Sequence, residues 1–250
     1  LKARLIPILF LVLFIVYPFV RLDAEHFKPS RTAENTGNSV EIEQNQAGRN
    51  NPSESEEEEI ITHYDSIEVL VNKEHALPAG YEPPDLTVPD IPFSFTEDLP
   101  KKRMRKEAAT AMENLFAQAE REGLDLAGVS AYRSYRRQAE IFAYNAKAIG
   151  ETEANRVSAR PGESEHQTGL AIDVSSPSVG YQLSKKFAET TEGRWLKTNA
   201  HRHGFIIRYP QNKEEITGYQ YEPWHLRYVG KKIAAEIYQN GLTLEEYFSN

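Results

Sequence analysis

The chain has 250 residues, enough for one well-buried domain with flexible additions, and its 40% hydrophobic and 26% charged content is that of a soluble globular protein. A formal net charge of −8 argues against nucleic acid as the main partner. The absence of cysteine excludes a disulfide scaffold, a thiolate zinc site, a Cys nucleophile and a lipid-modified Cys anchor, so any metal must be held by His, Asp and Glu, with only seven His available.

Lys2 and Arg4 precede an unbroken apolar stretch from Leu5 to Val20, which meets Arg21. A basic start before about 16 apolar residues is the pattern of a secretory segment or a short membrane anchor. Residues 1–24 are therefore expected to direct the protein outside the cytoplasm, with any membrane association confined to this segment. Cleavage after Ala24 and retention as an anchor both stay open, because Leu22 stands where a small residue is preferred. Residues 25–60 are rich in Glu, Asn, Ser, Gln and Thr and hold too little apolar surface to offset the entropy of ordering, so a disordered acidic spacer is expected. Residues 61–100 form a Pro-rich lead-in with short apolar pieces, expected to wrap over the domain.

The compact domain is expected over residues 101–250. Met104, Ala108, Ala111, Met112, Leu115, Phe116 and Ala119 recur at helical spacing, and Gly123 follows as a stop. A strand is predicted over Leu124 to Ala131, then a helix capped by Ser134 and ended before Gly150. Gly169 to Val174 reads as a strand, Lys185 to His203 as a helix stopped by Gly204, Phe205 to Tyr209 and Tyr221 to Tyr228 as strands, and Lys231 to Gln239 as a helix. The mixture lacks a regular βαβ rhythm, which predicts an α+β fold with a small antiparallel sheet and flanking helices.

Two segments carry the chemistry. In Ser164-Glu165-His166-Gln167-Thr168-Gly169-Leu170-Ala171-Ile172-Asp173, strand alternation points Leu170, Ile172 and Val174 one way and Ala171 and Asp173 the other. Asp173 thus projects beside small neighbours, and the turn holding His166 can return an imidazole over the same face. In Glu222-Pro223-Trp224-His225, the proline restricts the residue before it, so the regular strand is expected to start only afterwards. Glu222 can then bend toward the spot at which His225 points, with Trp224 packing on the other side. Taken singly, His166 could be a surface residue, Asp173 a turn or edge residue, and Glu222 the partner of an arginine. Together they supply three N/O ligands for one zinc ion and a free carboxylate. Zinc lowers the pKa of water to about 7, and a nearby acid can pass the proton to a leaving amine.

Ser-x-His-x-x-Gly-x-Ala-x-Asp followed by Glu-Pro-Trp-His resembles the VanY-type D-alanyl-D-alanine carboxypeptidases, related to the VanX dipeptidases and to L,D-carboxypeptidases. The segments Ser130-Ala131-Tyr132-Arg133-Ser134, Glu192-Gly193-Arg194-Trp195-Leu196, Gly204-Phe205-Ile206-Ile207-Arg208-Tyr209-Pro210 and Leu77-Pro78-Ala79-Gly80-Tyr81 share the resemblance, which spans Val69 to the C-terminus. It implies a small α+β domain like that of lysostaphin-type peptidases and the hedgehog signalling domain. It also implies His166, Asp173 and His225 as zinc ligands, Glu222 as general base and proton shuttle, and Arg133 as the group that stabilises the oxyanion. Ser130, Ser164 and Gln138 are substrate-binding candidates: Gln138 could reach a terminal carboxylate or serve the surface, and Ser164 could bond near the site or shape the turn. His201 and His203 do not share a helix face and are expected to bind no metal.

The expected function is removal of the C-terminal D-alanine from peptidoglycan stem peptides by a zinc-dependent monomer at the bacterial cell wall. The D,D reaction is favoured and the L,D reaction on tetrapeptide stems is the alternative. A non-catalytic zinc module that binds wall peptide is a reading from another class, and the presence of Glu222 and Arg133 argues against it.

Overall fold

The computed structural model describes residues 63–249; the expected export segment at 1–24 and the acidic spacer at 25–60 lie outside the described residues. Strands β1 (Leu86–Thr87) and β2 (Met104–Arg105) precede helix α1 (Lys106–Arg121) and strand β3 (Ala127–Ser130). Helices α2 (Tyr135–Ile149) and α3 (Glu151–Val157) follow, then β4 (Ala171–Ser175), α4 (Thr191–Asn199) and β5 (Phe205–Ile207). The chain continues through α5 (Glu214–Thr217), β6 (His225–Tyr228), α6 (Lys231–Asn240) and α7 (Leu244–Phe248). This is the expected α+β class. Among the described residues, no helix is long and apolar enough to cross a membrane.

The main sheet has the order β3-β4-β6-β5, and every neighbouring pair is antiparallel. Alternation gives it two unlike faces. Ile172 and Val174 of β4, Leu226 and Tyr228 of β6 and Phe205 of β5 pack with Met112, Leu115 and Phe116 of α1 and with Trp195 and Leu196 of α4. Burying side chains of this size stabilises by roughly 1.5–3 kcal/mol each, which holds both helices on the sheet. The opposite face carries Asp173, His225, Arg227 and Ile206. Ile206 joins Val229, Ile233, Ala234, Ile237 and Leu244 in a smaller apolar cluster under α6 and α7. Apart from the small Ala171, the rest of that face is polar.

Several local expectations hold and others give way. The Ser134 hydroxyl caps α2 by accepting the Arg137 N–H at 3.3 Å, and Gly150 follows the helix. Met104, expected to open the first helix, instead lies in β2 and pairs with Thr87. The expected helix from Lys185 to His203 is broken into a 3₁₀ segment Lys185–Glu189, α4, and a second 3₁₀ segment Ala200–His203. Thr190 causes the first break, because its hydroxyl accepts the Gly193 N–H at 2.9 Å and starts a new helix. Gly193 lies so close to the Phe187 carbonyl that a Cβ would stand 1.9 Å from its oxygen. The short helices α3, α5 and α7 were not foreseen, although the capping box of Thr243 and Glu246 that opens α7 is written in the sequence.

The lead-in packs on the domain. Val69, Val71 and Leu77 are buried in the larger core. The Leu77 N–H donates to the Gly162 carbonyl at 2.9 Å, and Gln167 Nε2 donates to the carbonyls of Pro78 at 2.9 Å and Tyr81 at 3.1 Å.

Gly169 closes the 3₁₀ turn Glu165–Thr168 with φ +67°, and a Cβ there would sit 2.7 Å from a Leu86 methyl carbon. Gly169→Ala is expected to destabilise by about 1–3 kcal/mol, seen as a lower urea midpoint at unchanged slope. An unchanged midpoint would mean that the turn does not need glycine.

Candidate active site

Ser130, Asp173 and His225 form one row across three strands, since Ser130 is opposite Asp173 and Asp173 is opposite His225. Directly opposed residues present their side chains on the same face. The β3–β4 register shifts between Gly128 and Ser130, so Val129 is an extra residue, and this bulge brings Ser130 level with Asp173. Strand β6 starts after Pro223, as the sequence implied. Before it the chain turns: the Glu222 N–H donates to the Tyr209 carbonyl at 3.0 Å and the His225 N–H to the Glu222 carbonyl at 3.2 Å. The turn folds the Glu222 carboxylate back to 3.8 Å from His225 Nδ1. Trp224 packs into the apolar core.

His166 reaches the row from the 3₁₀ turn that precedes β4. Its carbonyl accepts the Arg133 N–H at 3.1 Å, and its ring Nδ1 lies 2.7 Å from the Ala131 carbonyl. That carbonyl fixes the proton on Nδ1 and leaves the Nε2 lone pair facing Asp173 Oδ2 at 3.4 Å. His225 Nδ1 lies 3.1 Å from Asp173 Oδ1, and the two imidazole rings meet edge to face with centroids 4.9 Å apart. One ligand atom from each of His166, Asp173 and His225 can be chosen so that all lie within 4.8 Å of one another, and all three residues are buried. Two nitrogens and one carboxylate oxygen at this spacing suit zinc, with one position left for water or substrate.

The electrostatics agree with that fit. Burial and the nearby Arg133 lower the His166 pKa, which favours the neutral imidazole that a metal requires. Burial opposes an anion at Asp173, yet His166 and His225 hold its carboxyl well below the usual range. Burial also opposes a charge on His225, but Asp173 and Glu165 raise its pKa to about 9. Glu222, at the mouth with its side chain 15% exposed, is pushed up to about 7 by burial and by Asp173, against the pull of His225 and Arg133.

Arg133 Nη2 is 3.9 Å from Asp173 Oδ2 and donates to the Ser130 hydroxyl at 3.1 Å, while Nη1 donates to Gln138 Oε1 at 2.9 Å. The Gln138 amide is engaged at both ends, because its Nε2 donates to the Ser158 hydroxyl and the Ala159 carbonyl. Gln138 therefore stands behind Arg133 as a brace. Ser164 is buried and precedes the His166 turn without capping it. His203 Nε2 is 2.7 Å from Gln118 and His201 stacks on Tyr238, with neither in the His166, Asp173 and His225 group. Glu165, Arg208, Arg227 and Tyr209 join the site without having been foreseen. The Tyr209 ring centroid lies 5.0 Å from that of His225, and Glu165 is wholly buried between the two arginines. Two arginines inside apolar strand segments were the readable sign of a buried acid.

The family model described as VanY, D-alanyl-D-alanine carboxypeptidase, matches residues 101–231, and the matched stretch contains every residue of this geometry. The chain belongs to the VanY carboxypeptidase family. It is 56% identical over 190 residues to the putative carboxypeptidase YodJ of Bacillus subtilis, covering 76% of this chain and 70% of that protein. Among solved structures, the LdcB LD-carboxypeptidase is 55% identical with a TM-score of 0.73, covering 75% of this chain and 88% of that one. A mutant of the vancomycin resistance D,D-pentapeptidase VanY, solved in complex with Zn(II), is 34% identical with a TM-score of 0.60, covering 74% and 99%.

For this VanY family member, the raised pKa values set the pH dependence of the metal-free protein. The proton on His225 contributes stability that is complete below the usual histidine value and is lost as pH rises through about 9. The proton on Glu222 contributes in the same sense and is lost through about 7. The thermal midpoint of the metal-free protein is expected to fall between pH 6 and pH 9. Saturating zinc should abolish that fall by taking the place of the His225 proton. Scanning fluorimetry over this range, with and without zinc, checks it; parallel pH profiles would refute it.

Proposed function

We propose that the protein is a zinc-dependent carboxypeptidase that removes the C-terminal D-alanine from peptidoglycan stem peptides outside the cytoplasm. The observation that carries this reading is the convergence of His166, Asp173 and His225, with Glu222 beside them and Arg133 braced at the rim. The Zn(II)-bound VanY relative supports the choice of metal. The basic and apolar start of the chain supports the location.

In this reading His166 Nε2, His225 Nδ1 and an oxygen of Asp173 would hold the ion. Bound there, zinc supplies an electrophile that acidifies water and polarises the scissile carbonyl. Glu222 takes a proton from the attacking water and delivers it to the departing amine of D-alanine, a task suited to a carboxyl whose pKa lies near the working pH. Arg133 offers guanidinium N–H groups to the oxygen that gains negative charge, and Ser130 and Gln138 hold that guanidinium in place. Ser164 shapes the turn that presents His166.

The D,D reaction was the expectation from the sequence. The likeness to LdcB at 55% identity, against 34% for the D,D-pentapeptidase, favours the L,D reaction on tetrapeptide stems as the main activity. The zinc-loaded full chain, incubated with tetrapeptide and pentapeptide muropeptides and followed by mass spectrometry, is expected to release alanine faster from the tetrapeptide. Faster release from the pentapeptide would restore the D,D assignment. Tight zinc binding with neither stem cut would leave the wall-peptide binding module as the better account.

Glu222→Ala is expected to lower kcat by about 10²–10⁴-fold while zinc content is kept. Arg133→Ala should lower kcat by about 10²–10³-fold with a smaller change in KM. Activity within a few fold of wild type in either variant would remove that residue from the mechanism.

A further inference from the structure

Behind His225, on the side away from Asp173, lies a closed group of four charges. Glu165 Oε1 accepts from Arg208 Nε at 2.7 Å and from Arg227 Nη1 at 2.7 Å, and all three side chains are fully buried. Arg208 forks onto Glu245 of α7 at 2.9 and 2.6 Å. Arg227 gives its remaining donors to the carbonyls of Tyr228 at 2.9 Å, Ile67 at 3.0 Å and Val69 at 2.7 Å. Two guanidinium groups and two carboxylates cancel in charge, which is what makes burial of the arginines tolerable.

The group is incomplete at one point. Glu165 Oε2 is buried and makes no hydrogen bond, and so is His225 Nε2. The two atoms face each other at 3.5 Å, just beyond a closed bond. The other nitrogen of the same ring, Nδ1, is the one directed at Asp173 and Glu222. The imidazole therefore lies between the candidate metal position and a carboxylate locked by two arginines. A histidine that binds metal through one nitrogen characteristically gives the N–H of the other to such an acceptor, and this fixes both tautomer and ring angle.

We propose that Glu165 is the positioning residue for His225: it takes the Nε2 proton, leaves the Nδ1 lone pair for the metal, and is itself aimed by Arg208 and Arg227. The proposal rests on the zinc reading above and deepens it. Glu165→Gln keeps the shape but reverses the logic. The amide oxygen must stay with the two guanidinium groups, so the amide NH₂ meets His225 Nε2 and favours the tautomer with its proton on Nδ1.

The test uses the full chain in three forms: wild type, Glu165→Gln and Glu245→Gln. Glu245→Gln weakens the hold on Arg208 without touching the pair at His225. Nitrogen-15 NMR of the histidine rings in zinc-loaded wild type is expected to show His225 protonated at Nε2 and metal-bound at Nδ1. Zinc affinity, from chelator competition, should fall about 10- to 100-fold in Glu165→Gln. The visible spectrum of the cobalt-substituted protein should shift in the same variant. Glu245→Gln should lower the thermal midpoint and leave zinc affinity unchanged.

Metal on Nε2 of His225 in wild type would overturn the proposal, whether or not the variants fold. So would wild-type affinity in a folded Glu165→Gln, or loss of affinity in both variants in proportion to lost stability, which would make Glu165 only a structural residue. Failure of wild type to bind zinc would instead overturn the zinc reading, and the proposal with it.

Discussion

The pairing of β4 with β6 is the constraint on which the site depends. Because strand side chains alternate, the register that places Asp173 opposite His225 is the same register that places Ile172 opposite Leu226. A slip of one residue would carry the apolar residues into the polar face and Asp173 and His225 into the core, at a cost of several buried side chains. The hydrophobic face is thus what holds the polar face in order. Asp173 and the two imidazoles are an unfavourable set to bury together. Their geometry is enforced by Ile172, Val174, Leu226 and Tyr228, which lie in the apolar core on the other face.

The same logic explains what could be read from the sequence. The alternation from Leu170 to Val174 is a local pattern of period two, so the face on which Asp173 projects was legible. Pro223 acts on its immediate neighbours, so the late start of β6 and the return of Glu222 were legible too. The α+β class followed from the order of such segments. The helix from Lys185 to His203 was misread because apolar spacing ran on while Thr190 and Gly193 reset the chain locally. Gln138 was placed at the right turn of α2, yet its direction depended on where Arg133, Ser158 and Ala159 lie, and one segment cannot say that.

The buried charges were the least legible part. Glu165 meets Arg208 and Arg227 across 43 and 62 residues of chain, and the meeting requires the β5–β6 register and the 3₁₀ turn at once. The small residues beside Asp173 have uses that strand alternation alone does not reveal. Ala171 is opposite Arg227, and Gly169 is held against Leu86 and Arg105. Smallness there serves a guanidinium and a tight turn as well as the centre.

This arrangement separates charge into two compartments. Glu165 is held by two arginines on one side of His225, where its second oxygen faces Nε2 at 3.5 Å. On the other side Asp173 and Glu222 share a crevice with Arg133 as a nearby fixed cation; burial and Asp173 favour a proton on Glu222, and Asp173 and Glu165 favour one on His225. Those two protons bring the charge that a divalent cation would bring. An ion bound between His166, Asp173 and His225 would displace the first directly and favour loss of the second through its field, leaving Glu222 as an open carboxylate. If Glu222 serves as the proposed base, metal binding and its deprotonation are coupled, so that near pH 7 the carboxylate becomes the better proton acceptor once the ion is in place.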